Sequence, residues 1–96
     1  MINLEKIEQA TQFLKENDAE FVGLFGSHAR GEETDSSDID LLVRFSSPKS
    51  IIEIIGFERI LSERFGKRVE IITEPSLNPR IAPFVLQDLQ PMYGKR

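Results

Sequence analysis

Between Asn3 and Asn17 the apolar residues Leu4, Ile7, Phe13 and Leu14 recur close to the helical period, with Glu5, Lys6, Glu8, Lys15 and Glu16 between them. That spacing predicts an amphipathic first helix, which Asn17-Asp18 ends. Phe21-Val22-Gly23-Leu24-Phe25 follows as a short apolar run bounded by turn formers, the pattern of a buried strand. Gly23 and Gly26 imply close backbone approach or unusual dihedrals there. Ser27 to Arg30 fits a short helical turn closed by Gly31, and Glu32 to Ser37 is entirely polar and acidic, as a surface loop should be.

Asp38-Ile39-Asp40-Leu41-Leu42-Val43 reads as the second strand. Strand side chains repeat with period two, so Ile39, Leu41 and Val43 point one way and both aspartates the other. Ser47-Pro48 then supplies a helix N-cap and a first-turn proline. Ile51, Ile54, Ile55, Leu61 and Phe65 carry that helix to a stop at Gly66. Val69 to Thr73 is the third strand, with Val69 and Ile71 on one face and Glu70 and Ile72 on the other. Asn78-Pro79 repeats the cap-and-proline signal for a last helix containing Ile81, Phe84, Val85, Leu86 and Leu89, with Pro83 in its first turn. The order α-β-α-β-α-β-α, without repeat or linker, points to an α/β (α+β) fold: a small mixed β-sheet layered with helices.

Composition narrows the function classes. With 96 residues there is room for one compact domain, expected to span 1–96. A net charge of -4 argues against a surface made for direct nucleic-acid binding, although a nucleotide substrate is permitted where a metal neutralises its phosphates. The chain has no cysteine and a single histidine, His28, so disulfides, thiolate catalysis and zinc clusters are set aside. No stretch approaches the roughly 20 apolar residues of a membrane span, and the N-terminus lacks a signal pattern, so a cytoplasmic protein is expected. Neither GxxxxGK[ST] nor GxGxxG occurs, which removes P-loop and Rossmann sites.

The chemistry concentrates between residues 26 and 40. Two carboxylates on one face of a strand can share hard divalent cations through oxygen ligands, and such a cation would relieve their mutual repulsion. Gly26 lets a phosphate approach the backbone where a helical turn opens, and Ser27 adds a hydroxyl donor. One element would hold a triphosphate and the next the metals that bridge its oxygens, orient an attacking hydroxyl and stabilise departing pyrophosphate. Glu70 could supply a third carboxylate, as metal ligand or as base, and Arg30 a charge-assisted phosphate donor.

The string LFGSHARGEETDSSDIDLLV, from Leu24 to Val43, resembles the signature of the polymerase β-like nucleotidyltransferase superfamily: Gly-Ser, a ten-residue spacer and Asp-x-Asp. The short chain and the strand KRVEIIT, Lys67 to Thr73, resemble the minimal nucleotidyltransferases of prokaryotes in particular. The resemblance implies the nucleotidyltransferase fold, nucleotide phosphates bound by Gly26 and Ser27, and magnesium, two ions in all, bound by Asp38 and Asp40. Glu70 would stand at the family's third acidic position, where Asp is commoner, and His28 where Arg is frequent. Members of this subgroup are similar to the antitoxin halves of toxin–antitoxin pairs whose partner is a HEPN-domain ribonuclease. By that resemblance the protein would transfer AMP from ATP to a tyrosine of the toxin and so block its RNase activity.

Each residue also has a plainer reading. Asp-x-Asp alone is a weak signal, and Gly-Ser alone is more often a turn with an N-cap; their joint spacing is what favours chemistry. Arg30 beside Glu32, Glu33 and Asp35 fits a surface ion pair as well as a phosphate contact. Glu70 reads as functional because it interrupts an otherwise apolar strand. His28 reads as a solvent-facing turn residue, and the isoleucines at 51 to 55 with Phe57 as core or a partner-facing surface. Two other functions stay open: a non-catalytic nucleotide-binding protein that neutralises its partner by complex formation, and a nucleotidyltransferase acting on RNA or a small molecule.

Overall fold

The computed structural model describes residues 4–32, 34 and 37–95. In chain order it forms α1 (Leu4–Glu16), β1 (Ala19–Phe25), α2 (Ser27–Arg30), β2 (Ile39–Phe45), α3 (Ile51–Phe65), β3 (Val69–Thr73), a 3-10 turn over Glu74–Ser76, α4 (Ala82–Asp88) and β4 (Gln90–Tyr93). Asn3, the expected start of the first helix, lies outside the described residues, as do Glu33, Asp35 and Ser36 of the acidic stretch. No helix among the described residues is long and apolar enough to cross a membrane.

The four strands make one mixed sheet in the order β3-β2-β1-β4. β1 runs antiparallel to both β2 and β4, and β2 pairs in parallel with β3 through the α3 crossover. Both faces are covered, which is why the strands carry near-continuous apolar runs rather than strict alternation. On one face Ile7 and Leu14 of α1 and Leu61 and Phe65 of α3 close over Val22, Leu24, Leu41, Val43 and Val69. On the other, Val85 of α4 joins Phe21, Phe25 and Leu42, with Leu77 and Leu89 at the margin. A side chain at Gly23 would meet Leu89 and the Phe21 ring, so Leu89 packs directly on the backbone of β1 there.

Three expectations need correction. α3 starts at Ile51, not at Ser47-Pro48. Ser50 is the N-cap: its hydroxyl accepts the Glu53 N–H at 3.1 Å, and the Glu53 carboxylate accepts the Ser50 N–H at 3.2 Å. This reciprocal box satisfies two helix-end donors at once, which Ser47 has no acidic residue three positions on to match. Ser46 instead continues the β2 edge, donating its N–H to the Asp18 carbonyl. The last helix likewise begins at Ala82 rather than at Asn78-Pro79. The Asn78 side chain closes a turn on the Arg80 N–H at 2.8 Å, and Pro83 sits in the first helical turn, where its missing N–H costs nothing.

The third correction is β4, which the pattern missed. Its sequence, QPMY, is four residues long and contains a proline, so it shows no alternation. A proline is tolerated because β4 is an edge strand paired only with β1. The capping assignment yields a prediction. Ser50→Ala should destabilise the protein by about 1 kcal/mol, lowering the melting temperature by roughly 4–8 °C, whereas Ser47→Ala should change it by a degree or so at most. Thermal melts of the two variants decide it; equal effects would put the cap elsewhere.

Candidate active site

The strand pairings bring the predicted residues to one end of the sheet. Phe25 is the register partner of Asp40, and Asp40 is the register partner of Glu70. Residues opposed in a sheet share a face, so Asp40 and Glu70 lie side by side on the face that carries Phe25 and Leu42. α4 covers the apolar part of that face and leaves the carboxylates half-exposed. Asp38 immediately precedes β2 and lies near enough to act on Asp40 electrostatically.

Gly26 follows Phe25 with φ 80° and ψ -156°, a conformation L side chains rarely adopt. A Cβ at this position would run into the Oδ2 of Asp40. The Gly-Ser loop and the first carboxylate strand are therefore in contact, and only glycine permits it. Ser27 opens α2. The turn is held by the Arg30 N–H donating to the Gly26 carbonyl at 3.1 Å and the Glu32 N–H donating to the Ser27 carbonyl at 2.9 Å.

Crowding sets the electrostatics. The Asp40 carboxyl is pushed from an ordinary 3.8 up to about 6, first by burial, then by its hydrogen bond with Glu70 and the negative charges of Glu70 and Asp38. The opposing influence is Arg68, whose guanidinium lies 3.4 Å from Glu70 and 3.9 Å from Asp38. Among the described residues no three acidic, histidine or cysteine side chains are gathered into a finished metal cage. The donor chemistry nevertheless fits a hard divalent cation such as magnesium. Asp38, Asp40 and Glu70 offer carboxylate oxygens only, and the Asp40–Glu70 pair carries the repulsion that a cation would remove.

Arg30 is engaged by carboxylates, Asp88 at 2.7 Å and Glu32 at 3.1 Å. These contacts raise the guanidinium's already high pKa, the Asp88 hydrogen bond foremost. With the Gln90 amide donating to the Ala29 carbonyl at 2.8 Å, they tie α2 to α4 and β4. His28 corrects an expectation: its side chain is buried, not solvent-facing, and both ring nitrogens are enclosed without a hydrogen-bond partner among the described residues. No periodicity in a four-residue helix could have shown this. Arg68 joins the carboxylates from just before β3, and its position two residues before Glu70 is the sequence signal for it.

Comparison with known proteins agrees with this architecture. Residues 4–91 match the family model for the nucleotidyltransferase domain. The protein adenylyltransferase MntA of Thermococcus cleftensis is 37% identical over 94 residues, covering 93% of this chain and 95% of that protein. A solved structure described as a minimal nucleotidyltransferase superposes with a TM-score of 0.79 at 33% identity, over 95% of this chain and 97% of that one. A crystal structure of a toxin–antitoxin with AMP-PNP shares the fold, with a TM-score of 0.84 at 22% identity over 99% of this chain and 76% of that chain. The four-stranded mixed sheet, the glycine pressed on a carboxylate strand and these likenesses lead to one conclusion: the chain belongs to the nucleotidyltransferase family, in its minimal branch.

Proposed function

We propose that this nucleotidyltransferase transfers AMP from ATP to a tyrosine hydroxyl of a HEPN-domain ribonuclease and thereby acts as its antitoxin. The observation that carries the reading is the contact of Gly26 with Asp40, in register with Glu70, which sets the Gly26-Ser27 backbone directly beside a carboxylate row. The name of the Thermococcus relative, protein adenylyltransferase, and the AMP-PNP in the toxin–antitoxin structure support nucleotide and acceptor. The HEPN partner and its tyrosine follow from the resemblance of the short chain and the Lys67–Thr73 strand to the minimal nucleotidyltransferases.

In this reading the Gly26 backbone and the Ser27 hydroxyl hold the triphosphate. The acceptor oxygen attacks the α-phosphorus, a new P–O bond forms, the bond from the α-phosphorus to the bridging oxygen breaks, and pyrophosphate leaves. Glu70 takes the proton from the acceptor hydroxyl, on the side of Asp40 away from Gly26. Asp38 and Asp40, with Glu70 where a second ion is held, would bind magnesium, which supplies positive charge to the phosphates and the departing pyrophosphate. Arg30 reaches a phosphate only by exchanging Asp88 and Glu32 for it.

Transfer can be measured with labelled ATP, magnesium and the protein encoded beside this chain. Asp38→Asn should reduce labelling of that neighbour by at least about a hundredfold while leaving the fold intact. A stable, inhibited complex with no label from the wild-type protein would instead establish the non-catalytic binding reading.

The Asp40 shift also links stability to pH. Its pKa is higher folded than unfolded, so the folded state holds the proton more tightly; this favours folding in acid and is lost as pH rises from about 4 through about 6. Above that range the ionised, crowded carboxylate opposes folding. In buffer stripped of divalent cations, Asp40→Asn should therefore stabilise the protein at pH 7.5. Allowing for solvent screening of a half-exposed group, the gain is on the order of 1 kcal/mol, or about 4–8 °C. It should shrink towards zero by about pH 4. Melts across this range check it, and a variant less stable than wild type at pH 7.5 would contradict it.

A further inference from the structure

β3 is an edge strand, and α3 covers part of its edge. The Val69 N–H donates to the Ser62 hydroxyl at 2.9 Å and the Ile71 N–H to the Glu58 carboxylate at 2.7 Å. α3 has thus taken up two of the edge donors that strand addition would use, and side chains of α3 border this edge. Two adjoining hollows run along it, both bordered by Ile55 and Glu58. One, of about 300 Å³, is lined by Arg59, Ser62, Arg68 and Glu70. The other, of about 350 Å³, is lined by Ile51, Ile54, Ile71, Ile72 and Ile81.

The chemistry of this groove is graded along its length. At its far end Ile51 and Ile55 are 78% and 56% exposed, and the adjacent Ile52 is 82% exposed, a cluster of aliphatic surface beyond scattered single residues. At its near end it reaches Glu70 of the carboxylate row. There Arg59 makes no ion pair among the described residues, and Arg68, which reaches Glu70 at 3.4 Å and Asp38 at 3.9 Å, keeps a side chain 70% exposed. Across the sheet the order is Phe25, Asp40, Glu70, so a triphosphate on Gly26-Ser27 occupies the β1 side of Asp40 and leaves the β3 side to the acceptor.

We propose that the α3–β3 groove is the docking surface for the protein that carries the acceptor hydroxyl. The segment it takes is amphipathic, with apolar side chains along the isoleucines and a carboxylate between Arg59 and Arg68, next to the hydroxyl delivered to Glu70. This rests on the transferase reading above. Continuity with the carboxylate row and the two arginines single out an acidic, amphipathic acceptor segment. From Glu70 to Thr73 the edge spans about 10 Å, close to two turns of helix at about 11 Å.

The test uses Ile55→Arg and Arg59→Glu, both at exposed positions outside the reaction machinery, with the neighbouring-gene protein as probe. Each variant should raise the KM for that protein and its Kd by calorimetry about tenfold or more, with kcat and the KM for ATP unchanged. Hydrogen exchange of the complex should protect the first turns of α3 and the amides of 71–73. Labelling of the neighbour with Kd and KM unchanged in both variants overturns the docking surface and leaves the transferase reading standing. A complex weakened by the variants but never labelled overturns the transferase reading and leaves the surface. No complex between the wild-type proteins overturns both. A wild-type dimer that Ile55→Arg dissociates, with affinity for the neighbour unchanged, assigns the groove to a second copy and overturns the proposal. Should Ile55→Arg fail to fold, Arg59→Glu and the exchange footprint decide; protection confined to α4 and β4 overturns it.

Discussion

Two carboxylates placed opposite each other in a parallel strand pair repel, and in this protein that repulsion is built into the register. Asp40 and Glu70 are sheet partners, Asp38 adds a third negative charge, and burial together with this crowding pushes the Asp40 carboxyl up to about 6. A fold of 96 residues has little stability to spare, so three acids gathered on one half-exposed face call for a compensating charge. Arg68 supplies part of it from the exposed edge, at 3.4 and 3.9 Å. A divalent cation would supply the rest, and the same ion would make the face attractive to a triphosphate.

The surrounding structure can be read as the scaffold for that row. The β1–β2 pairing brings the end of β1 beside Asp40, and the absence of a side chain at Gly26 lets the loop lie on the carboxylate. α3 carries the chain across to β3 so that Glu70 arrives in parallel register. α2 is anchored at its far end by Arg30 to Asp88 and by Gln90 to the Ala29 carbonyl, so α4 and β4, remote from the carboxylates in sequence, fix the loop that faces them.

Much of this was legible in the sequence where local patterns and tertiary demands agree. The period-two alternation around Asp38 and Asp40, the interruption of an apolar strand by Glu70 and the glycine stop at Gly66 each have a local physical cause. The failures fall where a competing interaction decides. Ser47-Pro48 looks like a helix start, but the Ser50–Glu53 box satisfies more donors. β4 is held by β1 and not by its own sequence, so nothing in QPMY announces a strand. His28 is turned inward by a helix too short to have a periodicity. Asp88 lies 58 residues from Arg30, and only the tertiary fold could reveal that pairing.

The shared face of Asp38, Asp40 and Glu70 as the seat of a divalent cation can be tested directly by following the Asp40 side-chain carboxyl with carbon-13 NMR through a pH titration. Without divalent ions its midpoint should lie near 6. With magnesium and a non-hydrolysable ATP analogue it should fall below the ordinary carboxylate value of about 3.9, because the cation displaces the proton. A midpoint that stays near 6 at saturating magnesium and analogue would contradict the assignment.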